Sequence, residues 1–351
     1  PGQGTQYVGM LNELACQFPE FLAVLANANQ VYGGDENGPR LSDLIYPQPA
    51  FDTETEARQQ QDLTATPVAP SAIGAVSAAA LDVVKGFGIK ADAIAGHSYG
   101  EIVGLLAAGK VKEADFHHLS KLRGSLMGQG EGDKGSMMAV RAEEGPVEDL
   151  IAEAKLDVVI ANKNAPEQMV LSGGTDAIAH ANTVFSEKGI QTKILPVAAA
   201  FHSEYVAHVR EPFLGALQGM TLEDGDTTLY SNTTASPYPT DLDAIRPLVA
   251  EQLAKPVSFV AQIQQMYNDG IRTFLEIGPG SRMSGLIDAI LGDQPHHTVA
   301  VDGSNGKRGG ILDLARALAE IAVLGHPVQL GTWNANAPID PEALKPKAKL
   351  M

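Results

Sequence analysis

Residues 94–101 read Ile94-Ala95-Gly96-His97-Ser98-Tyr99-Gly100-Glu101. A short apolar run enters Gly-x-Ser-x-Gly, and a helix-like segment, Glu101 to Ala108, follows at once. That order is the pattern of a nucleophile elbow, in which a strand turns sharply into a helix and presents a serine on the turn. Gly96 and Gly100 suit it because a Cβ there would collide with neighbouring backbone. Ser98 would then sit at a helix N-terminus, whose free N–H groups and partial positive charge favour a developing oxyanion. Ser98 is therefore the candidate nucleophile.

Composition narrows the class. The 351 residues are enough for one large core or two domains. With 44% hydrophobic and 19% charged residues the chain has the composition of a folded domain, not of a disordered one. No apolar run approaches the ~20 residues of a membrane span, and no signal-peptide pattern opens the sequence. A single cysteine, Cys16, excludes an internal disulfide framework and suits a reducing compartment, so a cytoplasmic location is expected. The formal net charge of −17 and the pI of about 4.9 argue against nucleic acid or an anionic membrane as partner.

Outward from the elbow, the chain begins with the glycine-rich Pro1-Gly2-Gln3-Gly4-Thr5-Gln6, a loop of the kind that follows a strand, so the sequence reads as part of a longer polypeptide. Apolar spacing predicts helices at Met10–Leu14 and Phe21–Leu25, broken at Pro19, then loops and turns from Asp35 to Gln61. An Ala-rich helix, Ala72–Val84, precedes the elbow, and another, about Ala114–Met127, comes after it. Gly128–Gly135 is hinge-like. Residues 134–197 then alternate as β-α-β-β-α-β, the split-βαβ or ferredoxin-like unit, expected as a small subdomain inserted in a larger one. Beyond it a helix is expected at Tyr205–Leu217, strands at Thr228–Ser231 and Thr273–Ile277, and helices at Leu242–Leu253, Val257–Asn268, Leu286–Leu291 and Ile311–Leu324. From Gly331 the Pro- and Lys-bearing tail reads as linker. The expected architecture is α/β: a large α/β-hydrolase-like subdomain with a parallel sheet (residues 1–133 and 198–330), the ferredoxin-like insert, and a C-terminal linker (331–351).

A serine nucleophile needs a base. Of the nine histidines, the pairs His117-His118 and His296-His297 sit in polar surroundings and read as solvated, without the partners a metal site needs. His97 lies on the turn with its side chain directed away from Ser98. His202 follows an apolar run where the chain returns from the insert; by position it is equally a base or a buried structural histidine.

Several motifs appear in order: Pro1-Gly2-Gln3-Gly4, Gly96-His97-Ser98-Tyr99-Gly100-Glu101, Arg123-Gly124-x-x-Met127, Asn162-x-Asn164-x-Pro166-x-Gln168, Phe201-His202-Ser203 and Glu276-Ile277-Gly278-Pro279-Gly280. Over residues 1 to about 325 this succession resembles the malonyl-CoA:acyl carrier protein transacylases and the acyltransferase domains of polyketide and polyunsaturated fatty acid synthases. Its texture is most similar to domains of multidomain polyunsaturated fatty acid or enediyne-type synthases. The resemblance implies that Ser98 attacks an acyl-CoA thioester with His202 as general base and then general acid. It implies an oxyanion hole from the Gln3 and Tyr99 backbone N–H groups, and a histidine oriented by the main-chain carbonyl of Gln252 instead of an aspartate. Arg123 would hold the substrate's free carboxylate, a task that suits a planar guanidinium that keeps its charge when desolvated; without the resemblance it reads as a helix-surface arginine. Asn162 and Asn164 would line the cleft between subdomains or, equally, be turn residues between strands.

The implied partners are malonyl-CoA, an acyl carrier protein with its phosphopantetheine thiol, and neighbouring synthase domains, with no resident cofactor, metal, nucleic acid or membrane. An acidic carrier would dock on a local basic patch drawn from Lys110, Lys112, Arg272, Arg282, Lys307 and Arg308. At Ala199-Ala200-Phe201-His202, malonyl-selective polyketide acyltransferases tend to carry His-Ala-Phe-His and methylmalonyl types Tyr-Ala-Ser-His. Phe201 would then restrict the acyl group, or merely pack beneath the next helix. The sequence departs from the family where Pro70-Ser71-Ala72 replaces Gln-Pro-Ala, so any contact that glutamine makes is absent or replaced. An α/β-hydrolase esterase or thioesterase is the alternative, but it should carry an HGGG-type loop and an acid between serine and histidine. A dinucleotide site at Gly278-x-Gly280 fails on spacing, and a silent docking domain is disfavoured because every catalytic position is filled.

Overall fold

The computed structural model describes residues 1–33, 39–129, 132–197 and 199–334. After the N-terminal loop come α1 (Asn12–Gln17) and α2 (Pro19–Gly33). Pro19 opens α2: at the first helical position its missing N–H has no partner to lose. The stretch from Asp35 to Gln61, expected as loops, instead contains α3 (Leu41–Ile45) and α4 (Thr53–Thr64). Its polar composition hides them, because α4 buries only Leu63 and is held at its start by Asp52, which accepts from the Thr55 N–H at 2.7 Å. Residues 34–38 of that stretch lie outside the described residues.

α5 (Ala69–Gly86) runs through the core with all but Asp82, Lys85 and Gly86 buried, packed between α2 and α7 (Glu113–Gly128). Its small side chains allow that close approach, and at Gly74 a Cβ would overlap the Tyr99 hydroxyl. The elbow strand β1 (Ala93–Ala95) leads through Ser98 into α6 (Gly100–Ala107).

The inserted unit comprises β2 (Ser136–Arg141), α8 (Glu144–Glu153), β3 (Val158–Ala165), β4 (Gln168–Gly173), α9 (Thr175–Glu187) and β5 (Gln191–Ile194). Its antiparallel order, β3-β4-β2-β5, is that of the split-βαβ sheet. Met138, Val140 and Leu171 face α8 and α9 on one side. Met137, Ala161 and Val170 face the other way, into the main core with Ala199 and Phe201. The sheet is thus covered on both faces, which explains the unbroken burial along β4 from Met169 to Gly173.

The helix expected at Tyr205–Leu217 is divided: a 3₁₀ turn covers Glu204–Val209 and α10 starts at Arg210, ending at Gln218. Pro212 lacks the N–H an uninterrupted ladder from Tyr205 would need there. β6 (Thr228–Tyr230) pairs in parallel with β1. Then follow α11 (Leu242–Glu251), α12 (Phe259–Asn268), β7 (Thr273–Glu276), α13 (Arg282–Leu291), β8 (His297–Ala300) and α14 (Gly310–Val323). β8, not expected from the sequence, pairs in parallel with β7. From Gly331 the chain was expected to be linker, yet Leu330–Asn334 forms a 3₁₀ turn that lays Trp333 against Phe18 and Phe87, with ring centroids 6.1 and 5.5 Å away. Residues 335–351 lie outside the described residues. Among the described residues no single helix is long and apolar enough to cross a membrane; α4 and α5 qualify only together, across an 84° bend.

Candidate active site at the nucleophile elbow

Ser98 adopts φ +52°, a left-handed conformation that costs a non-glycine residue about 1–2 kcal/mol. The turn is tight on both sides. A Cβ on Gly96 would overlap the Gly100 backbone, and one on Gly100 would lie 2.8 Å from the Pro1 carbonyl oxygen. The reward of this geometry is reach: Ser98 Oγ lies 2.7 Å from His202 Nε2, although the two residues are 104 apart in sequence.

The other nitrogen of His202 fixes its tautomer. Nδ1 lies 3.1 Å from the Gln252 carbonyl oxygen and 3.0 Å from that of Lys255. Both are acceptors, so Nδ1 carries the proton and Nε2 is free to accept from the serine. Burial, with the nearby charge of Arg123, pushes the imidazole pKa down to about 3, so the ring is neutral at physiological pH. Gln252 also acts through its side chain, whose Nε2 donates to the Ser98 carbonyl at 2.7 Å.

Arg123 is 3% exposed, and its Nη2 donates to Ser98 Oγ at 3.3 Å. It is therefore no surface arginine. Its guanidinium lies 5.4 Å from the centroid of the buried Tyr99 ring, and Nε has no hydrogen-bond partner. Burial lowers its pKa to about 10, which leaves it charged near neutrality. Among the described residues no carboxylate forms an ion pair with it. Two backbone donors are likewise open: among the described residues neither the Gln3 nor the Tyr99 N–H donates to a protein acceptor. The loop that carries Gln3 is tied down, with Gly4 N–H donating to Gln6 Oε1 at 2.7 Å and Thr5 Oγ1 to the Gly2 carbonyl at 2.9 Å. Asp302 holds that loop to the Gly278-Pro279-Gly280 turn, accepting from the Tyr7 hydroxyl and the Gly280 N–H at 2.7 Å each.

A serine, a neutral histidine and an unpaired buried cation meet at Ser98 Oγ, with the open Tyr99 N–H one residue away. Residues 1–322 match the family described as acyl transferase domain. The chain belongs to that family. It is 33% identical over 296 residues to a malonyl CoA-acyl carrier protein transacylase of Bacillus subtilis, covering 83% of this chain and 88% of that protein. It is 29% identical over 358 residues to one polypeptide of the polyunsaturated fatty acid synthase of a Thraustochytrium species, covering 99% of this chain but only 12% of that protein. Among solved structures, the acyltransferase domain from the second module of the salinomycin polyketide synthase superposes with a TM-score of 0.82 at 27% identity, over 97% of this chain and 77% of the other. The esterase alternative is not favoured.

Other expected positions of the acyltransferase domain divide. Phe201 is 8% exposed, next to the base, with its carbonyl accepting from Ser172 Oγ at 2.9 Å. Asn162 and Asn164 are buried within β3 and are not turn residues. Asn164 Oδ1 lies 2.7 Å from His97 Nε2, while Asn162 makes no side-chain hydrogen bond to the other site residues among the described residues. The His97 ring also sits edge-on to Phe259 at 5.1 Å and has its pKa lowered to about 4, chiefly by burial.

The two histidine pairs are not simply solvated. His117 is buried against Glu113 at 3.3 Å, and His296 lies 3.0 Å from Asp288. The suggested basic patch also dissolves in part: Lys110 is 7% exposed with Nζ on the Asp224 carbonyl, Lys112 pairs with Glu223, and Arg308 pairs with Asp313.

Sequence reasoning missed Asn232, which is 0% exposed and hydrogen-bonds to the elbow from behind. The available signal was its place: a polar pair, Ser231-Asn232, directly follows the strand that pairs with the elbow strand.

Proposed function

We propose that this domain moves a malonyl group from malonyl-CoA to the phosphopantetheine thiol of an acyl carrier protein, through an acyl group carried on Ser98. The observation that carries the reading is Arg123: a buried, unpaired guanidinium 3.3 Å from the nucleophile demands an anionic partner that arrives with the acyl group. Malonyl-CoA supplies one in its free carboxylate.

The steps follow from the geometry. Ser98 Oγ attacks the thioester carbonyl while its proton passes to His202 Nε2, 2.7 Å away. Negative charge grows on the carbonyl oxygen, where the Gln3 and Tyr99 N–H groups stabilise it. The C–S bond breaks, the coenzyme A thiolate takes the proton from His202, and acyl-Ser98 remains. The carrier's thiol then gives its proton to His202 and attacks the ester; Ser98 leaves and takes that proton back. His202 must be neutral at the start of each half, and its lowered pKa provides for this. The Gln252 and Lys255 carbonyls stabilise the imidazolium that forms, as an aspartate does in serine hydrolases.

In this reading residues 134–197 form one wall of the acyl site, and residues 1–133 with 198–330 the other. On the same reading the domain works within a multidomain, cytoplasmic synthase. No resident cofactor takes part, because the thioester is substrate and the phosphopantetheine comes with the carrier. Intact-mass measurement after incubation with malonyl-CoA tests it: the malonyl adduct should appear on Ser98 and disappear when a phosphopantetheinylated carrier is added. Rapid release of free malonate without carrier loading would point to a hydrolase.

A further inference from the structure

Ser98 is held by more than its catalytic partners. Asn232 follows β6 and lies 134 residues from Ser98 in sequence, yet its carboxamide grips both arms of the elbow. Oδ1 accepts from the Ser98 N–H at 2.6 Å, and Nδ2 donates to the Gly96 carbonyl at 2.6 Å. Nδ2 also donates to Gln262 Oε1 at 2.8 Å, and Gln262 Nε2 donates in turn to the Tyr230 carbonyl at 3.0 Å. The Asn232 N–H donates to Glu101 Oε2 at 3.2 Å, and its carbonyl accepts from the Ser258 N–H at 3.0 Å. A reversed amide would set NH₂ against the Ser98 N–H, so this network determines the orientation.

We infer that Asn232 is a positioning residue for acyl transfer, holding the peptide before Ser98 so that the left-handed serine presents Oγ to His202 and the Tyr99 N–H to the substrate. The inference rests on Ser98 being the nucleophile. The physical argument is that φ +52° is unfavourable for serine and persists only where its neighbours over-determine it. Gln252 fixes the peptide after Ser98 by donating to its carbonyl, and Asn232 fixes the two peptides before it. Among the described residues no other side chain hydrogen-bonds to the Ser98 N–H. Without Asn232 the elbow can relax, and misplacement of reacting atoms by about 1 Å costs roughly a hundredfold in rate.

The test compares Asn232→Ala and Asn232→Asp with the unmodified domain. Asn232→Ala should lower kcat for malonyl transfer roughly a hundredfold with KM for malonyl-CoA little changed. In Asn232→Asp, a protonated carboxyl can imitate the amide, accepting from Ser98 N–H and donating to the Gly96 carbonyl; an ionised one cannot donate. The groups that face it are Glu101 from α6 with Tyr238 upon it, the neutral Gln262 from α12, and His202 and Arg123 across Ser98. Burial and Glu101 both favour its neutral form. The rate of Asn232→Asp relative to the unmodified domain should therefore rise several-fold from about pH 8 to about pH 5.5, while Asn232→Ala stays uniformly low. The ratio removes the titrations common to all three proteins; the new carboxyl and Glu101 also raise each other's pKa, which adds to the rise towards low pH. Unchanged kcat in Asn232→Ala overturns the inference, as does a flat ratio for Asn232→Asp or loss of the folded state in both variants. If the unmodified domain takes up no malonyl group on Ser98, the functional reading fails instead.

Discussion

The two sides of Ser98 are built on opposite rules. Behind it, the backbone groups of the elbow are matched: Ser98 N–H with Asn232, Ser98 C=O with Gln252, Gly96 C=O with Asn232. That network closes on the buried Glu101, which accepts from the Tyr238 hydroxyl and the Asn232 N–H. In front, groups that ought to be matched are not. Arg123 keeps Nε without a partner, and the Gln3 and Tyr99 N–H groups are open among the described residues. These donors have no partner among the described residues, and in the proposed function the substrate supplies one. The saturated side stores geometry, and the unsaturated side is the one proposed to bind.

The strongest way to break this contrast is to remove the atom on which the two sides meet. Ser98→Ala should take up no acyl group from malonyl-CoA in intact-mass measurement. A malonyl adduct on that variant would move the nucleophile elsewhere and leave the open donors without a purpose.

Next comes the front cation. Stripping one partner from a desolvated charge pair costs about 3–5 kcal/mol, so Arg123→Ala should lose malonyl transfer by a factor of hundreds or more. Acetyl transfer lacks the carboxylate and should be largely spared, because the variant also removes an unpaired buried charge. The ratio of the two kcat/KM values is the measurement. Equal loss for both substrates would make Arg123 part of the frame and erase the distinction between front and back.

The rear network can be probed through its carboxyl. Burial raises Glu101 to about 7, against an ordinary value of 4.5, and its hydrogen bonds only partly counter this. Below 4.5 the folded and unfolded chains both hold the proton. As pH rises towards 7 the unfolded chain releases it while the folded one keeps it, so stability from this group is lost over that window, by about 3 kcal/mol. His97 and His202, with lowered pKa values, act in the opposite direction as pH falls below 6.5. They are common to both proteins when the unmodified domain is compared with Glu101→Gln. The stability of Glu101→Gln relative to the unmodified domain should therefore climb between about pH 4.5 and pH 7 and then level off. A difference independent of pH would mean that Glu101 is not held neutral behind the serine.

What was legible in the sequence follows the same division. Ser98 could be read because the strain of the elbow is local, and Gly96 and Gly100 record it within a few residues. The split-βαβ unit could be read because its elements are short apolar or amphipathic runs set apart by turn residues. Arg123 and His202 needed family resemblance, since neither position announces what it faces. Asn232 was passed over because its partners are backbone groups 134 and 136 residues away; its place after the strand beside the elbow was the one signal, and an asparagine there looks like any turn. The helix α4 was missed for the converse reason: it is held by a cap and one buried leucine, so no apolar stripe marks it.

The finest distinction lies within the front itself, between the charge proposed to hold a malonyl-type group and the side chain proposed to limit its size. Phe201 adjoins His202, is 8% exposed, and belongs to the same core cluster as Ala199, Met137 and Val170. Its carbonyl accepts from Ser172 of β4, which ties its backbone to the inserted sheet. An α-methyl group on the acyl chain needs space beside the base, and in the proposed function the Phe201 ring limits that space. One methyl group is worth only ~1–3 kcal/mol of discrimination in an apolar pocket. Malonyl-CoA should accordingly be preferred over methylmalonyl-CoA by about tenfold or more in kcat/KM, without methylmalonyl being excluded. Ala199 keeps the same wall low where malonyl-selective relatives tend to place a histidine, which limits the preference. Phe201→Ser should narrow the gap by admitting the methyl group while leaving Arg123 and its carboxylate contact in place. Malonyl transfer should then fall less than methylmalonyl transfer rises. Equal use of the two substrates by the unmodified domain would show that the ring only packs in the core, and that the front of Ser98 selects by charge alone.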